Sequence, residues 1–172
     1  MVGTNSAEGG QAFHRLGFYQ DSHNFDLDKG VPREVFKNLF VKSIIRDYFN
    51  GSKDVEQELL IRYSGLWISD IEQARKLVAL FGDFMQHAPS VKTLRHHAKL
   101  AAGKKTYQYY FAHEPTTTNR RRPWFQGADH AEELTFVFGP EVMYPPGTNV
   151  SKEERQFSRT IMKYWSNFAK TG

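Results

Sequence analysis

The chain contains no cysteine. No disulfide framework can be read from it, and the redox compartment stays open. Long apolar runs are missing too: nothing approaches the ~20 residues that a membrane-spanning helix needs. The opening Met1-Val2-Gly3-Thr4-Asn5-Ser6 has neither a basic region nor a long apolar stretch, so it does not read as a signal peptide. Charge imbalance is slight. The formal net charge is +4 over 172 residues, with both signs interspersed, so neither nucleic acid nor an anionic membrane is implied as a partner. The one concentrated charge, Arg120-Arg121-Arg122 before Pro123, reads as a solvated loop. Internal repeats and low-complexity segments are absent.

What is present suffices for a core. Hydrophobic residues make up 40% of the chain and aromatics 15%, too apolar for disorder. Residues 1–5 read as a short strand, followed by Glu8-Gly9-Gly10, where the glycines permit a sharp turn or a close backbone approach. Residues 17–32 read as polar loop ending at Pro32, which suits a first helical turn. Phe36, Leu39, Phe40, Ile44 and Tyr48 then recur at helical spacing until Asn50-Gly51. Further helices are expected over about 53–63, from Ser69 to about Met85, and over about 90–101 with Gly103 as the cap. Ser69-Asp70-Ile71-Glu72 has the form of a capping box.

Residues 105–112 read as a buried strand, with Tyr107, Tyr109 and Phe111 on one face and Tyr110 on the other. The stretch from Pro140 to Pro146 reads as irregular. A last helix starts at a second capping box, Ser151 with Glu154, and lines Phe157, Ile161, Trp165 and Phe168 along one side. Two strands do not make a viable sheet, so the pattern is part of an α/β fold.

Chemistry concentrates in Gly127-Ala128-Asp129-His130-Ala131-Glu132-Glu133-Leu134-Thr135-Phe136-Val137-Phe138-Gly139. Taken alone, its acids suit the first turn of a helix and His130 a cap. The adjacent His96 and His97, with His87 and His113, raise the question of a metal. Neighbouring helical side chains point ~100° apart and rarely share one ion, so no metal is expected. No cofactor is implied.

The Gly127-to-Gly139 block, with Gly127, His130, Glu133, Leu134, Phe136, Val137, Phe138 and Gly139, closely resembles the segment around the catalytic histidine of type-B carboxylesterases, cholinesterases and bile-salt-activated lipases. Val2-Gly3-Thr4-Asn5-Ser6-Ala7-Glu8-Gly9 looks like that family's V-G-x-x-x-x-E-G segment. The ending, Trp165-Ser166-Asn167-Phe168-Ala169-Lys170-Thr171-Gly172, is similar to its W-x-N-F-A-x-T-G terminus. The blocks occur in family order and cover essentially the whole chain.

The resemblance implies the C-terminal part of an α/β-hydrolase fold with an incomplete sheet. It makes residues 1–172 the C-terminal portion of a type-B domain, truncated at both ends. His130 stands at the position of the general base and Glu8 at that of the triad acid, 122 positions earlier. Acid before histidine matches the α/β-hydrolase order. Trp124, Phe125 and Gly127 are implied to lie beside the histidine; Glu133 is either a supporting acceptor or an ordinary helix carboxylate.

The nucleophile motif G-x-S-x-G is absent; Ser6 and Ser64 lack its flanking glycines. The Gly-rich oxyanion loop is missing as well. The expectation is therefore a serine carboxylesterase fragment that is inactive alone. After the acid, Gly10-Gln11-Ala12 supplies none of the aromatics that line a choline site, and Glu132 stands where cholinesterases have tyrosine. Ala88 stands near a position that holds a disulfide cysteine in cholinesterases. The expected substrate is thus a carboxylic ester of lipid or xenobiotic type. Secretion or residence in the endoplasmic reticulum is implied by the resemblance, with Asn50 and Asn149 as N-x-S acceptors. The other reading is a non-catalytic, neuroligin-like adhesion domain of the same fold.

Overall fold

A computed structural model describes residues 1–101, 103–117 and 127–172; in the first helix the side chains of residues 13–16 and 18 are not included. The chain divides into two compact units. Among the described residues, one comprises Met1–Glu8 with residues 84–101, 103–117 and 127–172, the other Gly9–Asp83.

Among its described residues, the regular elements of the second unit are all helical. It holds α1 (Gly10–Gln20), a 3-10 turn (Leu27–Lys29), α2 (Arg33–Val35), a π-helical turn (Phe36–Val41), α3 (Lys42–Tyr48), α4 (Lys53–Tyr63) and α5 (Asp70–Gly82). Helix α1 extends over residues 17–20, which were expected to be loop. Its glycines weaken local propensity, but Gly9 lets the backbone come close to α5. A Cβ there would lie 1.9 Å from the Val78 carbonyl oxygen.

Pro32 precedes α2, and the helical run ends where Asn50 and Gly51 take positive φ, +49° and +76°. Ser52 caps α4 and Ser69 caps α5, the latter through its hydroxyl to the Glu72 amide at 3.2 Å. The core includes Phe36, Val41 and Leu77, all fully buried. Buried Gln73 is satisfied at both ends of its amide: it donates to the Tyr63 carbonyl at 2.8 Å and accepts from Ser64 at 2.9 Å.

The first unit carries the sheet. Strands β1 (Val2–Asn5) and β2 (Gln108–Phe111) pair in parallel, Val2 against Gln108 through Asn5 against Phe111. The chain between them runs through the second unit and α6 (Ala88–Leu100). After β2 come α7 (Glu133–Phe138), α8 (Pro140–Met143) and α9 (Lys152–Thr171). Pro140 in fact opens helix α8, where its fixed φ fits the first turn.

The alternation expected around β2 holds. Tyr109 packs on Trp165 with ring centroids 4.9 Å apart, and Phe111 on Phe136 at 5.4 Å. Tyr110 points the other way, toward His87. The strand is less buried than expected: Phe111 is 5% exposed, but Tyr110 is 61% exposed. Helices α7 and α9 supply an apolar cover on the Phe111 face only. That core joins Phe111, Ala128, Phe136 and Ile161, and burying each large side chain contributes about 1.5–3 kcal/mol.

Candidate active site

The line of β1 continues beyond its strand hydrogen bonds. The Ser6 amide donates to the Phe111 carbonyl at 2.9 Å, and the Ala7 amide then reaches across to the Ala128 carbonyl at 2.8 Å. Ala7 and Asp129 form an isolated parallel bridge. The next residues along both segments are Glu8 and His130. Glu8 therefore sits past the C-terminal end of parallel strand β1, where α/β folds place their reactive groups, and His130 one residue past the bridge.

Two glycine-dependent details hold the second segment in position. Gly127 has φ +102°, and a Cβ on it would lie 2.6 Å from the Ser6 hydroxyl oxygen. That hydroxyl accepts a hydrogen bond from the Ala128 amide at 2.9 Å. Gly127 itself donates to the Glu114 carboxylate at 2.7 Å. A tight turn follows, closed by the Glu132 amide on the Asp129 carbonyl at 3.2 Å. Ala131 takes φ +67° in it, a conformation that costs a non-glycine residue about 1–2 kcal/mol.

The turn's own acids bind its backbone. The Asp129 amide donates to the Glu132 carboxylate and the His130 amide to the Asp129 carboxylate, each at 2.7 Å. These two carboxylates brace the turn ahead of α7; of the acids expected in the first helical turn, Glu133 lies there, while Asp129 and Glu132 precede it.

Nδ1 of His130 lies 2.6 Å from Oε2 of Glu8. The Glu8 side chain is 7% exposed and that of His130 41%. Glu8 Oε1 accepts from the Asn5 amide at 2.7 Å, so both carboxylate oxygens are engaged. A buried carboxylate at this distance fixes the imidazole tautomer with its proton on Nδ1. The other ring nitrogen, Nε2, is then the basic one.

Glu133 accepts from the Asn5 side-chain amide at 2.6 Å. The Tyr109 phenol is pushed up to about 12 by burial first, then by the charges of Glu133 and Glu8. Trp124 and Phe125, expected beside the histidine, lie outside the described residues, as do Arg120 to Arg122. His97 bonds Thr106 at 2.8 Å, and among the described residues no group of three potential ligands is arranged to hold a metal ion.

Three participants escaped the sequence. Asn5 and Tyr109 look like ordinary strand residues, and His87, which contacts the Asn5 carbonyl at 3.1 Å, lies 82 positions from it. The signal available for Asn5 was a small amide at the end of a short strand, three residues before Glu8. A second histidine-carboxylate contact, His113 with Glu154 at 3.0 Å, occurs where the second capping box was expected. Ser151 caps α9 there through the Glu154 amide, while the Glu154 carboxylate binds the Thr116 amide and hydroxyl instead of closing the box.

The model of the carboxylesterase family matches residues 1–172. The chain is 28% identical over its whole length to a medium-chain fatty acyl-CoA hydrolase precursor of Anas platyrhynchos, covering 29% of that protein. It is 38% identical over 165 residues to carboxylesterase 5A of Ovis aries, 92% of this chain and 41% of that one. It is also 32% identical over its whole length to neuroligin-3 of Mus musculus, covering 20% of it. The chain thus spans less than half the length of these curated relatives.

Proposed function

The chain belongs to the carboxylesterase family, and on that premise we propose that it supplies the acid and the general base of an ester-hydrolysing Ser-His-Glu triad. The serine and the oxyanion loop belong to the rest of a type-B domain of which residues 1–172 are the C-terminal portion. The observation that carries this reading is the 2.6 Å contact between Glu8 and His130 Nδ1.

The chemistry follows from the geometry. A serine hydroxyl is a weak nucleophile at its ordinary pKa. With its proton kept on Nδ1 by Glu8, His130 offers Nε2 to accept the serine proton as the hydroxyl attacks the ester carbonyl. Nε2 then returns that proton to the leaving alcohol, and Glu8 stabilises the imidazolium formed in between. Water repeats the cycle on the acyl-enzyme. By the resemblance, Trp124, Phe125 and Gly127 are the candidates for the pocket beside His130.

The substrate class is a carboxylic ester of lipid or xenobiotic type. Gln11, Ala12 and Glu132 provide no aromatic face for a quaternary ammonium. Passage through the secretory pathway fits the exposed Asn50 and Asn149, each in an N-x-S triplet. No helix among the described residues is long and apolar enough to cross a membrane.

A second reading, a non-catalytic adhesion domain, draws on the likeness to neuroligin-3. Retention of both Glu8 and His130, in contact, favours the enzyme. The test is a chromogenic short-chain ester assay on the purified 172-residue chain. No turnover above buffer is expected, because the chain lacks a nucleophile. Turnover abolished by His130→Ala would contradict the proposal.

A further inference from the structure

Asn5 ends β1 and is 1% exposed. Its backbone amide donates to Glu8 Oε1 at 2.7 Å. Its side-chain Nδ2 donates to the Asp129 carbonyl at 2.7 Å and to Glu133 Oε2 at 2.6 Å. The orientation of the side-chain amide follows from these neighbours: a carbonyl and a carboxylate both accept, so the nitrogen must face them.

The opposite atom, Oδ1, is buried with no hydrogen-bond partner. Buried polar atoms are rarely left so, and a side chain kept at that cost calls for an explanation. Turning the amide would set Oδ1 against two acceptors, and an apolar replacement would abandon both of them.

We infer that Asn5 is a positioning residue for the Glu8–His130 pair: its backbone aims the carboxylate, and its side chain holds the turn that presents the imidazole. The turn is gripped on both sides of the histidine. Asp129 precedes His130 directly, and Glu133 follows it by three residues. Acid and base are thereby referenced to one residue that is itself fixed in the sheet opposite Phe111. Glu133 is the acceptor that ties the Asn5 side chain at the end of β1 to the first turn of α7. Its bond to an amide donor is charge-assisted and so among the stronger of its kind.

The inference rests on the triad reading above, and its test separates the two. The readout is the proton NMR signal of the His130 Nδ1–H in the 172-residue chain and its rate of exchange with solvent. In the unmutated protein a far-downfield, slowly exchanging resonance is expected, absent from His130→Ala. Asn5→Ala and Glu133→Ala each speed its exchange about tenfold or more, since a shift of ~1 Å breaks a contact this short. Glu133→Gln keeps the slow exchange, because its amide oxygen still accepts from Asn5.

Should Asn5→Ala fail to fold, Glu133→Ala decides, as it leaves the Asn5 amide on Glu8. Unchanged exchange in the alanine variants overturns the positioning role and leaves the triad reading standing. No such resonance in the unmutated protein overturns the triad reading itself.

Discussion

Ala7 and Asp129 are bridge partners in parallel register, and the residues that follow them are Glu8 and His130. Glu8 and His130 are thus neighbours for the same reason that paired strands are neighbours. Backbone hydrogen bonds set the register, and the side chains one step further on meet at 2.6 Å.

Gly127→Ala tests that register. The substitution adds a Cβ 2.6 Å from the Ser6 hydroxyl at a residue with φ +102°. Segment 127–129 must shift, and the Ala128-to-Ser6 hydrogen bond is lost. The expected cost is about 2–4 kcal/mol, read by chemical denaturation, from strain and a lost part-buried hydrogen bond together. The same substitution at Gly17, where a Cβ meets nothing within 4 Å, is the control and leaves stability unchanged or slightly raised.

Tyr109 carries a pKa raised to about 12, by burial and then by the charges of Glu133 and Glu8. Glu133→Gln should lower it toward the ordinary tyrosine value of ~10 without reaching it, since burial remains. Because the folded value lies above the unfolded one, the stability that Tyr109 contributes is whole below pH ~10. It is lost as pH rises through about 12. Ultraviolet titration of the tyrosinate, compared with Tyr109→Phe, reads the shift; denaturation on either side of pH ~10 reads the stability.

Glu154 behaves in the opposite sense. Burial pushes its carboxyl up, but the Thr116 amide and hydroxyl and the His113 imidazole together hold it below the ordinary glutamate value. Its contribution is therefore present above that value and is lost as pH falls through the lowered one. Glu154→Gln should flatten this acid-side loss. It should also destabilise the protein at neutral pH by about 1–3 kcal/mol, since the donors of residues 113–116 lose a buried anion. Melting temperatures measured from neutral to acid pH check both.

The helices were legible wherever a local rule governed them. Ser69 and Ser151 mark helix starts because a hydroxyl satisfies amides within the same turn. Asn50-Gly51 marks a stop because few other residues take positive φ. Helix α1 was not legible: its glycines argue against a helix locally, and the close approach to α5 that requires Gly9 is a tertiary fact. The site divides the same way. Glu8 and His130 were found through resemblance of whole segments. Asn5 was not, because its role consists of contacts to residues 124 and 128 positions away. No periodicity records such distances.

The most direct test of the central claim is a chimera in which residues 1–172 replace the corresponding C-terminal segment of an active carboxylesterase. The folded chimera should hydrolyse a short-chain ester. Glu8→Gln and His130→Ala should each reduce kcat by about 10⁴-fold or more with little change in KM. A folded chimera that is inactive, or one whose turnover survives His130→Ala, would contradict the account.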